Sequence, residues 1–118
     1  MTKIAACFCL APEDIRQFIA AFKALSDETR QKILLMLDEK ERSVGEIVDA
    51  FDLSQPTISR HLAVLKHVGL VEDRRQRQQV YYRLRPHALV KCCRDFFRNF
   101  SCCGDIFKEA PIDEIQGT

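Results

Sequence analysis

Two short helices joined by the residues DLS constrain the fold of this chain more than any other feature of its sequence. In the first helix, Ser43 and Glu46 have the S-x-x-E spacing of a capping box ahead of an apolar run. In the second, Ser54 is a favoured N-cap, Pro56 is tolerated in the first turn, and Gly69 is a typical C-terminal stop. These signals predict a helix-turn-helix pair.

The spacing of apolar residues changes from helical to alternating after Gly69. The segments LVEDRR and VYYRL have the composition of two short strands, and they flank RQRQQ, which consists almost entirely of Arg and Gln. The sequence therefore predicts a β-hairpin with a basic and polar tip, directly after the helix pair.

Apolar residues at helical spacing predict the remaining helices. Pro12 opens the first helix, Ser26 is expected to cap a second helix that ends near Lys40, and Pro86 starts a last helix that ends near Phe100. The apolar side of the first helix is predicted at Ile15, Phe18, Ile19, Phe22 and Leu25.

The predicted order is helix, helix, helix, helix, strand, strand, helix, which indicates a mainly α, winged helix-turn-helix fold. The chain has 118 residues, with no internal repeat and no linker. We therefore expect one domain over residues 1–118, with an N-terminal arm at 1–11 and a C-terminal tail at 101–118.

No segment of the sequence predicts export or insertion into a membrane. The N-terminal apolar run is short, and no stretch approaches the roughly eighteen apolar residues of a membrane span. We expect a cytoplasmic protein with no membrane partner. In a reducing compartment its six cysteines would be free thiols rather than disulfides.

Charge is distributed unevenly along the chain, although the net charge is only +1. Residues 54–85 contain seven basic residues and two acids, a local net of +5, whereas residues 104–118 contain one base and four acids, a net of −3. The basic middle of the chain is suited to a polyanionic partner.

The second helix of the pair is predicted to turn Ile58, Leu62 and Leu65 inward. Its outward side chains suit base edges and phosphates, and they are Gln55, Thr57, Ser59, Arg60 and His61. The hairpin adds cations for backbone phosphate or a minor groove at Arg74, Arg75 and Arg77. Either group alone is equally typical of a solvated surface, but the two together favour binding of double-stranded DNA.

Three segments, FKALSDETRQKILLML, LSQPTISRHLAVLKHVGLV and VYYRLRPH, resemble the arsenic-repressor, or ArsR/SmtB, family of metal-responsive bacterial repressors. The resemblance covers about residues 15–87. It implies a homodimer joined through the first and last helices, which binds an operator and leaves it when a thiophilic ion or similar inducer binds. It also places Gln55 to His61 on the recognition helix and Arg74 to Arg77 on the wing.

The familiar sensing sites of that family are absent from this sequence. Arsenic-responsive members carry a C-x-C box at the start of the third helix, where this chain has Ser43 and Gly45. The family's Asp and His zinc site on the last helix is also incomplete, since only His87 has a suitable side chain near an expected position.

The six cysteines are the remaining candidate ligands for a thiophilic ion such as As(III) or Sb(III). Cys92 and Cys93 flank an apolar stripe on the last helix, so packing as small hydrophobes is an equal alternative for them. Cys102 and Cys103 follow the predicted helix end and are the better candidates, whereas Cys7 and Cys9 have weaker support. On one unbroken helix Cys92 and Cys102 would lie roughly 15 Å apart, so a shared site needs a helix break or two subunits.

Other functions remain open at the level of sequence. Two alternatives keep the same DNA-binding module: its thiols act as a redox or persulfide switch, or they sense cadmium, lead or zinc. A small dithiol oxidoreductase or a metal carrier is less consistent, because the cysteines lack C-x-x-C spacing and no catalytic set converges. The sequence therefore predicts a regulator rather than an enzyme, with no organic cofactor.

Overall fold

The computed structural model describes residues 12–98 and 100. It contains five helices and three strands within that range. The elements are α1 (Pro12–Leu25), α2 (Glu28–Glu39), β1 (Arg42–Ser43), α3 (Val44–Ala50), α4 (Gln55–His67), β2 (Val71–Gln76), β3 (Gln79–Leu84) and α5 (Pro86–Phe97). The mainly α, winged helix-turn-helix architecture predicted from the sequence is confirmed.

The strands form one antiparallel sheet in the order β1, β3, β2. β2 and β3 pair from Val71 opposite Leu84 to Gln76 opposite Gln79, so the hairpin turn is only Arg77 and Gln78. β1 was not predicted, because two residues are too few to show an alternating pattern. It extends the sheet by pairing Ser43 with Tyr81, which anchors the hairpin to the start of α3.

The hydrophobic core lies between the helix pair, α2 and the base of the hairpin. Ile33 from α2, Ile47 from α3 and Ile58 from α4 are all fully buried. Among the described residues, the buried cluster is Ala24, Ile33, Leu34, Leu37, Ile47, Ile58, Leu62, Leu65, Leu70 and Val71. The core therefore fixes α4 and the hairpin on one scaffold.

The predicted caps of α3 and α4 are confirmed. Ser43 Oγ accepts a hydrogen bond from the backbone N–H of Glu46 at 3.1 Å, and Glu46 Oε1 accepts from Ser43 N–H at 3.0 Å. Ser54 Oγ accepts from Thr57 N–H at 3.4 Å. Gly69 follows α4 with φ 82°, a conformation that glycine adopts without steric cost, and its N–H donates to Lys66 O.

The predicted cap of α2 is wrong by one residue. The N-cap is Asp27, whose carboxylate accepts from Arg30 N–H at 3.0 Å. Ser26 instead donates its hydroxyl to Lys23 O at the end of α1. An aspartate has the further advantage of a negative charge at the positive end of the helix.

Helices α1 and α5 pack against each other beside the core. The rings of Phe22 and Phe96 meet edge to face with their centroids 5.0 Å apart. α5 ends at Phe97, three residues before the predicted end, and the turn beyond it is closed by Phe100 N–H donating to Phe97 O. In the described part of α5 no side chain is fully buried. No helix within that part of the chain is long and apolar enough to cross a membrane.

Candidate nucleic-acid interface

α4 presents a polar face to solvent because its apolar residues occupy the opposite side. Ile58, Leu62 and Leu65 are buried, and Gln55, Ser59 and Arg60 are exposed. These three exposed side chains lie within the first two turns, as predicted. Thr57 is half-buried, and its hydroxyl lies 2.9 Å from the cap hydroxyl of Ser54.

His61 does not point outward as predicted. Its side chain is 18% exposed, and Nδ1 lies 3.8 Å from a carboxylate oxygen of Asp27 and 3.2 Å from Nη1 of Arg30. The first turn of α2 and the second turn of α4 approach here, so this helix position faces a neighbouring helix. Sequence periodicity places His61 at the border of the apolar face and cannot show which neighbour it meets.

The tip of the hairpin carries two free arginines. Arg75 and Arg77 are both exposed, and within residues 12–98 neither side chain forms a hydrogen bond or ion pair. Arg77 has φ 58°, a left-handed conformation that is uncommon for a residue other than glycine. The turn therefore holds a cationic side chain where glycine would have the lower backbone energy.

Arg74 lies in the middle of β2 and is not free. Its Nε and Nη2 donate to the two carboxylate oxygens of Glu41 at 2.9 and 2.5 Å, and its guanidinium carbon lies 4.9 Å from the centroid of the Tyr81 ring. The hydrogen bonds between Arg74 and Glu41 lower the pKa of Glu41 and raise the pKa of Arg74. Any DNA phosphate that contacts Arg74 would compete with Glu41.

Acidic neighbours also neutralise other basic residues of the segment. Arg83 pairs with Glu72 across the hairpin, and Lys66 lies 3.1 Å from a carboxylate oxygen of Asp73. These ion pairs therefore offset part of the positive charge that residues 54–85 carry. The unpaired cations around the polar face are Arg60, Arg75 and Arg77, as judged over the described residues.

A cleft of about 470 Å³ separates α4 from the hairpin. Gln55 and Ser59 line it from α4, and Gln78, Gln79 and Tyr82 line it from the hairpin. Gln78 and Gln79 were not among the predicted DNA contacts, although their position in the predicted hairpin tip was the available signal. Amide groups that both donate and accept can contact base edges or phosphates.

Known proteins with this arrangement are transcription regulators. A family model described as "Bacterial regulatory protein, arsR family" matches residues 27–73. The arsenical resistance operon repressor of Escherichia coli (strain K12) is 53% identical over 70 residues, which cover 58% of this chain and 60% of that protein. The solved structure of HlyU from Vibrio cholerae N16961 is 32% identical, covers 78% of this chain and 99% of its own, and has a TM-score of 0.61. The chain belongs to the arsR family.

A second solved arsR-family structure supports the same assignment. The ArsR-like transcriptional regulator from Rhodococcus sp. RHA1 has a TM-score of 0.68 at 29% identity, and the match covers 81% of this chain and 94% of that one. The matching relatives and solved structures are named as transcription repressors and regulators. The chain spans 60% of the length of the Escherichia coli repressor and 52% of the Pseudomonas putida regulator ArsR1. Arsenic resistance is thus a property stated for those relatives.

The start of α3 has no sulfur ligand, unlike the C-x-C box of arsenic-responsive arsR-family members. Ser43 is buried and is occupied by the capping box, and Gly45 is exposed. Among residues 12–98 and 100, no three His, Cys, Asp or Glu side chains are grouped closely enough to hold a metal ion. The predicted ligands Cys7, Cys9, Cys102 and Cys103 lie outside the described residues.

Cys92 and Cys93 are free, half-buried thiols on α5. Burial raises the pKa of Cys92, and the nearby Cys93 and Asp95 raise it further. Cys92 also lines a cleft of about 420 Å³ between α1, the end of α4 and α5. A thiol that holds its proton is a poor nucleophile, and an ion that binds it must displace that proton.

Proposed function

We propose that this chain represses transcription by binding an operator with α4 in the major groove and the β2–β3 hairpin beside it. In this role α4 is the recognition helix and the hairpin is the wing. Gln55, Ser59 and Arg60 would contact bases or phosphates, and Arg75 and Arg77 would contact the backbone or an adjacent minor groove. Thr57 would support the first turn of α4 through its contact with Ser54. Arg74 would contact phosphate only in competition with Glu41.

The observation that carries this proposal is the joint placement of an unpaired polar helix face and an unpaired cationic hairpin tip. Gln55 and Ser59 line one wall of the cleft, and the hairpin forms the other. Neutralisation of phosphates by unpaired arginines makes DNA affinity fall steeply with salt concentration. The stated role of the Escherichia coli relative as an operon repressor agrees with this reading.

We propose a homodimer joined through α1 and α5 in the cytoplasm. Ile19 on α1 is 49% exposed, and Phe97 at the end of α5 is 38% exposed. Large apolar side chains that remain exposed together are typical of an interface. Two copies would place two recognition helices on half-sites about one turn of DNA apart, near 34 Å.

We propose that As(III), Sb(III) or another thiophilic ion is the inducer and that cysteine thiolates bind it. The names of the arsenical relatives and the soft character of sulfur ligands support this chemistry. Cys102 and Cys103 are the first candidates, with Cys92, Cys93, Cys7 or Cys9 as further ligands. Ligation by cysteines on α5 and later in the sequence would shift α5 against α1 and so change the spacing of the recognition helices.

A mobility-shift titration tests the proposal with arsenite, antimonite, cadmium, lead, zinc and a mild oxidant. We expect arsenite or antimonite to release DNA from the wild-type chain. The paired variant Cys102→Ser with Cys103→Ser should need much more of either ion. Release by oxidant alone, reversed by dithiothreitol, would replace ion sensing with a redox switch. Unchanged arsenite sensitivity in that variant would move the site to the other cysteines.

A further inference from the structure

One arginine side chain joins three helices of the DNA-binding module. Arg30, in the first turn of α2, donates from Nε to Ala24 O at 2.7 Å and from Nη2 to Lys23 O at 3.1 Å, at the end of α1. Its third nitrogen, Nη1, lies 3.2 Å from Nδ1 of His61 on α4. We call these three contacts the Arg30 bridge.

The chemistry of the Arg30 bridge requires arginine. The last carbonyls of α1 have no partner within their own helix, and a planar guanidinium has enough donors to reach them and a third acceptor at once. Arg30 itself is held by its backbone N–H, which donates to Asp27. That hydrogen bond is the largest cause of the lowered pKa of the Asp27 carboxyl.

The same geometry defines what His61 contributes. A guanidinium only donates hydrogen bonds, so Nδ1 is the acceptor in this contact and a neutral ring carries its hydrogen on Nε2. The buried side chains of Ile58, Leu62 and Leu65 set which side of α4 faces the core, and a directional contact at His61 limits the small rotation that this packing still allows. A hydrogen bond depends on direction, and His61 directly follows Arg60 on the polar face.

We propose that Arg30 and His61 are positioning residues that fix the rotation of α4 for reading base edges. This inference rests on the proposed function of α4 as the recognition helix. The Arg30 bridge also joins α4 to α1 next to Phe22, which packs on Phe96 of α5. The angle of the recognition helix therefore depends on the helices proposed to form the dimer.

The test compares specific and non-specific DNA binding by the full-length chain. The probes are a fluorescent duplex selected by the wild-type chain from a random library, and a random-sequence duplex of equal length. His61→Phe keeps a ring but removes the acceptor, and His61→Asn restores an acceptor oxygen near the position of Nδ1. His67→Phe is the matched control, because His67 is an exposed residue of the same helix.

We expect His61→Phe to reduce the ratio of specific to random affinity by about tenfold, the effect of losing one hydrogen bond to a charged group. Affinity for the random duplex should not change, since phosphate contacts dominate it. His61→Asn should recover most of the ratio, and His67→Phe should match the wild type. If His61→Phe does not fold, Arg30→Lys decides the matter, because one ammonium nitrogen cannot take the positions of the three guanidinium nitrogens that make these contacts.

An unchanged ratio in His61→Phe, or in Arg30→Lys where that variant decides, would overturn the inference. An equal loss of both affinities would also overturn it, because that result indicates general destabilisation instead of positioning. A wild-type chain that shows no preference for any selected duplex would instead contradict the proposed function of α4. The two failures are therefore distinguishable.

Discussion

At the scale of single residues, the arginines of the hairpin have different roles. Arg74 is held by Glu41 and lies over Tyr81, so it stabilises the middle of the hairpin. Arg77 is exposed and has a positive φ. A backbone conformation that disfavours its side chain is evidence that the side chain is retained for another reason, and contact with DNA is the reason proposed.

Arg77→Gly should separate the stability of the fold from its affinity for DNA. Glycine removes the steric cost of the positive φ but increases the entropy of the unfolded chain. We therefore expect the free energy of unfolding to stay equal or to rise by up to about 1 kcal/mol. DNA affinity should fall several-fold, and the slope of log affinity against log salt should decrease by about 1. Denaturant unfolding and fluorescence anisotropy measure the two effects. DNA affinity equal to that of the wild type would contradict the proposed role of Arg77.

Cys92 should react slowly with iodoacetamide at neutral pH. Its pKa is raised by burial, so the thiolate fraction at pH 7 is smaller than that of an unperturbed thiol with a pKa of about 8.5. The alkylation rate of Cys92 should increase with pH. The pH at which this rate is half its maximum should be higher for the folded chain than for the chain in denaturant. Mass spectrometry of the Cys92 peptide measures both profiles. A midpoint below that of the denatured chain would show an activated thiol instead.

At the scale of elements, α3 is the most dependent on its ends. It has seven residues, fewer than the dozen or so that an isolated helix needs for stability in water. The capping box satisfies its first turn, and pairing of Ser43 with Tyr81 ties that turn to the sheet. The same serine therefore supports both the helix and the middle of the hairpin.

Ser43→Ala should lower the free energy of unfolding at neutral pH by about 1 kcal/mol, the usual effect of losing an N-cap side chain. Ser59→Ala is the matched control, because Ser59 is exposed within α4 and caps no helix. Urea unfolding of the two variants measures the difference. Equal stability of both would show that the capping box contributes little to the stability of the fold.

Glu46→Gln should reduce the loss of stability in acid. The backbone hydrogen bond from Ser43 lowers the pKa of Glu46 in the folded state. Its contribution is therefore complete above the unfolded value of about 4.3 and is lost as the pH falls through the lower folded value. Between about pH 5 and pH 3, the free energy of unfolding measured with urea should fall less steeply with decreasing pH for the variant than for the wild type. Since Asp27 and Glu41 also have lowered pKa values, part of the slope should remain.

At the scale of the whole molecule, the core is complete around α2, α3 and α4 but not around α5. Phe96 contacts Phe22, Phe97 and Phe100. Phe97 nevertheless remains 38% exposed and Phe100 45% exposed. A helix with this much apolar surface is expected to bury it against another chain. The proposed dimer therefore uses the least buried helix of the described fold.

Phe97→Glu should convert the proposed dimer to a monomer and weaken DNA binding, because a carboxylate would lose its hydration in an apolar interface. Leu35→Glu is the matched control: Leu35 is 68% exposed, but it lies on α2, outside the proposed interface. Light scattering after size-exclusion chromatography measures the mass of each variant. A wild-type chain that is already monomeric when bound to DNA would contradict the dimer.

Helix ends and apolar periodicity are local properties of a sequence. The order of the main elements and the caps of α3 and α4 could therefore be predicted without the structure, and so could the inward residues Ile58, Leu62 and Leu65. Only the tertiary structure decided the pairing of β1, the contact between Arg74 and Glu41 and the inward direction of His61. The partners in those contacts are 31 to 40 residues apart in the chain. A polar side chain near the edge of an apolar face can meet either solvent or another element, and only the packing of those elements decides which.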